Sequence, residues 1–116
     1  MLNVHSEKDM YQATLSACIL AVSEGFPHLS IAEIITPPPG MLDAFLVRQV
    51  VMHLMVEQFC WPKKRVLAEE LRNRHTLYHG LKVIDERLAS PRFLSHYETI
   101  ASRAVELLAA RIREAA

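Results

Sequence analysis

The chain has 116 residues, half of them hydrophobic, and its 13 basic and 13 acidic residues give a formal net charge of zero. This length and apolar content predict a single domain over residues 1–116 with a modest core, and they argue against intrinsic disorder. No apolar run reaches the length of a membrane span, and the charged residues at positions 7–9 do not suit a signal peptide. We therefore expect a cytoplasmic protein that does not enter the membrane.

Apolar residues recur at helical rather than alternating spacing along the chain, and no stretch has the pattern of a β-strand. We therefore predict an all-α fold of five or six helices. The first helix is expected from about Glu7 to Glu24, with Ser6 as its N-terminal cap and Gly25 at its end. Its predicted buried side consists of Leu15, Cys18, Ile19 and Val22.

Two further helices are predicted before residue 60. Ser30 can cap a short helix over Ile31–Ile35, and the prolines at positions 37–39 then form a stiff, extended connector. The segment Met41–Phe59 is apolar almost all the way round, which predicts the central and most buried helix. Its remaining polar stripe consists of Gln49, His53 and Glu57.

The chain has two cysteines, Cys18 and Cys60, and both lie on apolar segments. They lack the CxxC spacing of a metal site or a redox motif. Two cysteines in such positions are expected to be buried free thiols rather than a disulfide.

Residues 62–88 predict two helices joined by a tight polar turn at residues 72–74. Pro62 suits the first turn of a helix, where its missing N–H costs nothing. On the second helix the apolar side consists of Leu77, Leu81, Ile84 and Leu88, and the opposite side carries His75, His79 and Lys82 with Tyr78 beside them. A short helix, a tight turn and a second helix that presents hydrogen-bonding side chains form the helix-turn-helix arrangement.

The zero net charge hides an uneven distribution. Residues 61–88 hold seven basic and four acidic residues, whereas residues 1–60 hold two basic and six acidic residues. A locally basic helical hairpin raises the case for DNA binding, because nucleic acids are held largely through their phosphates, but pattern and charge alone favour a non-DNA role for this face. The alternatives left open by pattern and charge are a simple solvated face and a surface for protein contact.

A last helix is predicted to start at Ser90-Pro91, because a serine cap followed by a first-turn proline favours helix initiation. Its expected apolar seam consists of Phe93, Leu94, Tyr97, Ile100, Ala101, Ala104, Leu107 and Leu108. The last turns, through Ile112, allow either dimerisation or fraying.

Three separated groups of residues, taken with the order of elements, carry a resemblance to a known family. They are Arg48-Gln49 on the third helix, Arg72-Asn73-Arg74-His75-Thr76 with His79 in the hairpin, and Ser90-Pro91 with Tyr97 on the last helix. In these residues the chain, from about Tyr11 to Ala110, resembles the C-terminal DNA-binding domain of DnaA, the bacterial replication initiator. The resemblance implies a helix-turn-helix fold related to that of the Trp repressor.

Several features depart from that family's pattern. The Gly-Gly pair before the hairpin signature is replaced by Glu70-Leu71 or by Leu71-Arg72, depending on a one-residue choice of alignment. The family's basic loop, whose arginine enters the minor groove, corresponds here to residues 35–41, which carry no positive charge. The three glycines are far apart and cannot form a P-loop, so we expect no ATPase activity.

The resemblance and the charge distribution together assign candidate DNA-binding roles. Lys63, Lys64 and Arg65 are the expected phosphate clamp, and the start of the recognition helix would be Arg72, Asn73, Arg74, His75 and Thr76, with His79 and Lys82 further along its face. The expected partner is double-stranded DNA, and the expected role is regulation of replication or transcription. The alternative is a protein-interaction relative of that domain that has lost DNA binding.

Enzymatic and metal-binding roles have weak support in the sequence. His75 and His79 lie one helical turn apart, as metal ligands can, but no Glu follows His75 and no third ligand is evident nearby. Serine and aspartate residues occur without a nucleophile motif. We therefore expect neither catalysis nor a cofactor.

Overall fold

The computed structural model describes residues 2–70 and 73–115. Within these ranges the chain is helical with no β-strand, which confirms the predicted all-α class of five or six helices. The helices are α1 (Glu7–Gly25), α2 (Ile31–Ile35), α3 (Leu42–His53), α4 (Lys63–Glu70), α5 (Arg74–Arg87) and α6 (Pro91–Ala115), and a π-helical segment (Leu54–Gln58) continues α3. Among the described residues no helix is both long and apolar enough to cross a bilayer.

The two N-terminal caps predicted for α1 and α2 are confirmed. Ser6 Oγ accepts a hydrogen bond from the backbone N–H of Asp9 at 3.2 Å. Ser30 Oγ accepts from the N–H of Glu33 at 3.1 Å, and the Glu33 carboxylate accepts from the N–H of Ser30 at 2.8 Å. These reciprocal bonds form a capping box, which satisfies two backbone donors that a short helix would otherwise leave unpaired.

α1 and α6 pack against each other. Near the end of α1, His96 Nε2 donates to the carbonyl oxygen of Gly25 at 2.9 Å, and Arg103 Nε lies 2.8 Å from Glu24 Oε1. The Arg103 pair is exposed to solvent, so its net contribution to stability is small. Close packing of the two helices therefore depends on the side chains that they bury.

The buried face of α1 differs from the predicted one. Leu15 and Ile19 are only partly buried, while Val22 and Cys18 are fully buried as expected. Much of the remaining buried surface comes from small side chains, namely Ala13, Ala17 and Ala21. Small residues let α1 approach its neighbours closely, and a pattern based on large apolar residues does not detect such a face.

The prediction that the third helix is the central one is confirmed, but its end differs from the predicted position. Buried residues on α3 and its extension are Ala44, Val47, Arg48, Val50, Val51, Met52, His53, Leu54 and Met55. The α-helical part ends at His53, and in the π-helical segment the N–H of Phe59 donates to the carbonyl oxygen of Leu54 at 3.0 Å. Cys60 has a φ of 57°, so the backbone reverses there and the helical run ends.

The two cysteines occupy different environments. Cys18 is a buried free thiol, as predicted, and burial raises its pKa to about 12. Cys60 is free but exposed, so the prediction that it is buried was wrong. The reason is the left-handed turn at Cys60, which takes this residue away from the apolar side of the helix that precedes it.

The proline-rich connector ends in a tight turn rather than continuing as an extended spacer. The N–H of Met41 donates to the carbonyl oxygen of Pro38 at 3.1 Å, and Gly40 has a φ of 81°. A positive φ at the third position of a four-residue turn is characteristic of type II, where glycine is favoured. This turn sets the start of α3.

The close contact at the end of α1 generates a stability prediction. A Cβ atom on Gly25 would lie 2.6 Å from Cδ1 and 2.7 Å from Cγ1 of the buried Ile100. Because Ile100 must then move within a packed core, Gly25→Ala should lower the free energy of unfolding by about 1–3 kcal/mol. Urea denaturation monitored by circular dichroism measures this change.

Gly80→Ala is the matched control, because it also replaces a helical glycine. Its Cβ would meet Cγ of the partly exposed Gln49 at 3.1 Å, and that flexible side chain can shift. Helix propensity then favours alanine by about 1 kcal/mol, so the stability should stay constant or rise. Equal losses in the two variants would mean that the contact with Ile100 is not the cause.

Candidate nucleic-acid interface

The predicted helical hairpin consists of α4 and α5. Leu71 and Arg72 between these helices lie outside the described residues, so the role expected for Arg72 concerns a residue whose structure is not described. α5 begins at Arg74, which was predicted to lie in the turn. Asn73 is the N-terminal cap, and its Oδ1 accepts from the N–H of Thr76 at 2.8 Å. This capping bond occupies the carbonyl group of Asn73 and leaves its NH₂ group as the available donor.

α5 has the amphipathic character that its sequence predicts. Leu77, Gly80, Leu81 and Ile84 are buried. The other side is exposed along its length, including Arg74, His75, Thr76, Tyr78, His79 and Lys82. The described candidate residues of α5 therefore share one solvent-facing surface.

α5 lies alongside α3 and runs in the same direction. Near the middle of the pair Gly80 approaches the Gln49 side chain, and further along Asp85 contacts His53 at 2.7 Å. In both contacts a later residue of α5 meets a later residue of α3. The two helices are therefore parallel, and their N-terminal ends lie at the same end of the molecule. The turn at residues 38–41 is therefore on the side where the proposed recognition helix begins.

A hydrogen-bonded chain of three side chains fixes α5 to the core. His53 is buried, its Nε2 lies 2.7 Å from Asp85 Oδ1 and its Nδ1 lies 2.6 Å from the Tyr97 hydroxyl oxygen. Both ring nitrogens of His53 therefore have a hydrogen-bonding partner. The three residues connect α3, α5 and α6.

The order carboxylate, imidazole and hydroxyl also occurs in nucleophilic catalytic sites, where the hydroxyl is activated. Here burial raises the pKa of Tyr97, and the nearby carboxylates of Glu57 and Asp85 raise it further. Tyr97 is only 8% exposed, and its hydroxyl is held by His53 in the interior of the molecule. The arrangement therefore favours a structural clamp over an activated nucleophile.

A second buried polar cluster fixes the end of α4. Arg48 Nη2 lies 2.6 Å from Glu70 Oε2, and the hydroxyl of Tyr11 donates to Glu70 Oε1 at 3.3 Å. The side chains of Arg48 and Glu70 are only 9% and 11% exposed, so this is a largely desolvated ion pair. Burial raises the pKa of Tyr11, and the charge of Glu70 reinforces the shift. Three helices, α1, α3 and α4, meet at this carboxylate.

The three basic residues of the expected phosphate clamp have different surroundings. Lys63 and Lys64 are exposed at the start of α4. Arg65 is partly buried and directed toward carboxylates of the same chain, at 3.1 Å from Glu69 and 3.6 Å from Glu7. Lys63 and Lys64 are therefore more accessible to a phosphate than Arg65 is.

Tyr78 joins the start of α4 to the start of α5. Lys63 Nζ lies 5.0 Å from the centroid of the Tyr78 ring, and Arg74 Cζ lies 5.4 Å from the same centroid. Both distances are within the range of cation–π attraction. The sequence placed Tyr78 beside the basic face but gave it no role, because the contact with Lys63 depends on how the two helices pack.

The histidines of α5 form a second pair on the same face. The ring centroids of His75 and His79 are 6.2 Å apart with an interplanar angle of 15°. Imidazole nitrogens can donate to or accept from base edges and phosphate oxygens. Among the described residues no group of three or more histidine, cysteine, aspartate or glutamate side chains could hold a metal ion.

The charge on this surface is available for an external anion. Within residues 2–70 and 73–115, none of Lys63, Lys64, Arg74 and Lys82 forms an ion pair with a described carboxylate. These four cations lie on the exposed parts of α4 and α5. The arrangement can bind a polyanion and can also present hydrogen-bond donors from the first turns of α5.

Comparisons with protein-family models, with curated proteins and with solved structures found no match to this chain.

The buried ion pair at the end of α4 generates a second stability prediction. Glu70→Ala leaves Arg48 in a desolvated site without this carboxylate, so the free energy of unfolding should fall by about 3–5 kcal/mol. Glu69→Ala is the matched control, because it removes a more exposed carboxylate from the same helix and should cost at most about 1 kcal/mol. Thermal and urea denaturation of both variants measure the difference, and similar losses would show that burial of the Glu70 pair is unimportant.

Proposed function

We propose that this chain is a DNA-binding helix-turn-helix module related to the C-terminal domain of DnaA, and that it regulates replication or transcription without ATPase activity. The observation that carries the proposal is the solvent-facing surface of α5, where cations and hydrogen-bonding side chains lie together next to the exposed lysines of α4. A surface of this composition suits a duplex, because cations bind phosphates and the first turns of a recognition helix reach base edges.

The two helices contact different parts of the duplex. Lys63 and Lys64 bind phosphates, and Arg74 with the NH₂ group of Asn73 reads base edges at the start of α5. His75, Thr76, His79 and Lys82 extend the contact surface along the helix. Arg65 would contribute to DNA binding only by leaving its ion pairs with Glu7 and Glu69, so its share is the smallest of the three clamp residues. Arg72 belongs to the same surface by its place in the sequence.

The second candidate function is protein binding by a relative that has lost DNA binding. One observation favours it specifically. The segment that replaces the family's basic loop carries no positive charge, and Leu42 beside it is 79% exposed. Exposed apolar side chains next to uncharged loops are more typical of protein contacts than of DNA contacts.

A salt titration separates the two functions. A fluorescently labelled random-sequence duplex should bind at low salt, and the affinity should fall as the salt concentration rises. The expected slope of log K against log salt is about −0.9 per phosphate contact, so three to five contacts give roughly −3 to −5. Fluorescence anisotropy measures this slope. Absence of binding even at low salt would reject the DNA proposal and leave protein binding as the better candidate.

A pair of substitutions separates phosphate contacts from base contacts. Lys64→Ala should weaken binding to every duplex by a similar factor and reduce the salt slope by about one unit. Arg74→Ala should cost about 1–3 kcal/mol on a preferred site, obtained by selection from a random pool, and much less on a scrambled one. Binding isotherms of both variants on both duplexes test this. Equal losses on the two duplexes for Arg74→Ala would mean that Arg74 contributes only charge.

Asn73→Ala is less informative by itself, because Asn73 also caps α5. Loss of such a cap costs about 1 kcal/mol of stability. The unfolding midpoint of each variant is therefore measured first, and binding is compared at a temperature where all variants are folded.

A further inference from the structure

Two cations on different helices share one aromatic ring at the start of the proposed interface. Lys63 lies at the first position of α4 and Arg74 at the first position of α5. Both approach the Tyr78 ring, at 5.0 Å and 5.4 Å from its centroid. Tyr78 lies one helical turn after Arg74, so that contact is local, whereas the contact with Lys63 crosses from one helix to the other.

The Tyr78 ring offsets the repulsion between these two cations. Like charges on neighbouring long side chains repel each other, and solvent-exposed lysine and arginine side chains have many rotamers. The negative face of an aromatic ring attracts each cation by about 0.5–1 kcal/mol at exposed sites. One ring therefore reduces the motion of two cations whose mutual repulsion would otherwise separate them.

We infer that Tyr78 is a positioning residue, whose ring holds Lys63 and Arg74 in the arrangement in which they meet a nucleic-acid duplex. Its effect on affinity is a reduction of the ordering cost on binding, because the two cations are partly ordered before the duplex arrives. This inference rests on the proposed function, and it adds a residue that the hairpin pattern did not assign.

Tyr78 lies at the surface and contributes little to the core. Its side chain is 40% exposed, so it does not merely fill space between helices. Its neighbours Leu77 and Leu81 supply the buried contacts of the same turns. Loss of the ring is therefore expected to leave the fold intact, which makes a binding experiment interpretable.

The first test is made on the free protein and does not depend on DNA. Protons near an aromatic face resonate upfield, so the side-chain methylene protons of Lys63 and Arg74 should show ring-current shifts in the NMR spectrum. Tyr78→Phe keeps the ring and should keep these shifts, whereas Tyr78→Leu should remove them without changing the unfolding midpoint. Absence of upfield shifts in the unsubstituted protein would overturn the inference whatever the protein binds.

The second test is made with the labelled duplex. Tyr78→Leu should lower the affinity about 3- to 10-fold, and Tyr78→Phe should leave it nearly unchanged, since the ring rather than the hydroxyl is needed. In a Lys63→Ala, Arg74→Ala background the same Tyr78→Leu change should have little effect, because no cation remains to be positioned. Lys82→Ala is the matched background control. Lys82 also lies one helical turn from Tyr78, but the cations over the ring are Lys63 and Arg74, so this change should leave the Tyr78→Leu effect in place.

The outcomes of the two tests can be told apart. A loss of affinity in Tyr78→Phe equal to that in Tyr78→Leu would mean that the hydroxyl contacts the duplex directly, and the positioning role would be wrong. An undiminished Tyr78→Leu effect in the double-alanine background would also overturn it. If the unsubstituted protein shows the NMR shifts but binds no duplex at any salt concentration, the proposed function fails and Tyr78 does not position cations for DNA.

Discussion

The buried carboxylate of Glu70 is the point where the hairpin is joined to the rest of the molecule. Removing a carboxylate from water is costly, and here Arg48 and Tyr11 supply donors to the two oxygens of Glu70. Arg48 belongs to α3 and Tyr11 to α1, so these two contacts fix the C-terminal end of α4 against both helices. α5 begins at Arg74, four residues after this fixed point, and packs against α3.

A second polar cluster acts at the other end of α5. His53 forms a hydrogen bond through each ring nitrogen, and both partners lie on helices that are distant in sequence. Together the two clusters hold α5 at positions before its first turn and near its last turn. The middle of the helix needs only apolar contacts and the close approach at Gly80. The amphipathic helix therefore presents its outer residues on one face.

Local physics made much of this fold predictable from the sequence. Serine caps, an apolar side at helical spacing and a proline in the first turn act within a few residues, and they predicted α1, α2, α5 and α6 closely. The two polar clusters were not predicted, because each joins residues 22 to 59 positions apart, and no local pattern indicates which Arg meets which Glu. The sequence also counted Arg65 equally with Lys63 and Lys64, although its ion pairs with Glu69 on the same helix and with the distant Glu7 leave it less accessible. The contact between Lys63 and Tyr78 was not predicted either, because it depends on how α4 and α5 pack against each other.

The π-helical segment after α3 has a consequence for the length of the chain. A π-helical turn contains one more residue than the α-helical turn that it replaces, because its N–H groups bond five residues back rather than four. The segment Leu54–Gln58 therefore holds a surplus residue between His53, which contacts α5, and Trp61, which packs edge-on against Tyr11 at a centroid distance of 5.1 Å. The residues on either side of the segment, His53 and Trp61, are both held by tertiary contacts. Neither side can therefore rotate to let the segment become a regular α-helix. Deleting one residue within Leu54–Gln58 is therefore expected to convert this segment toward a regular α-helix.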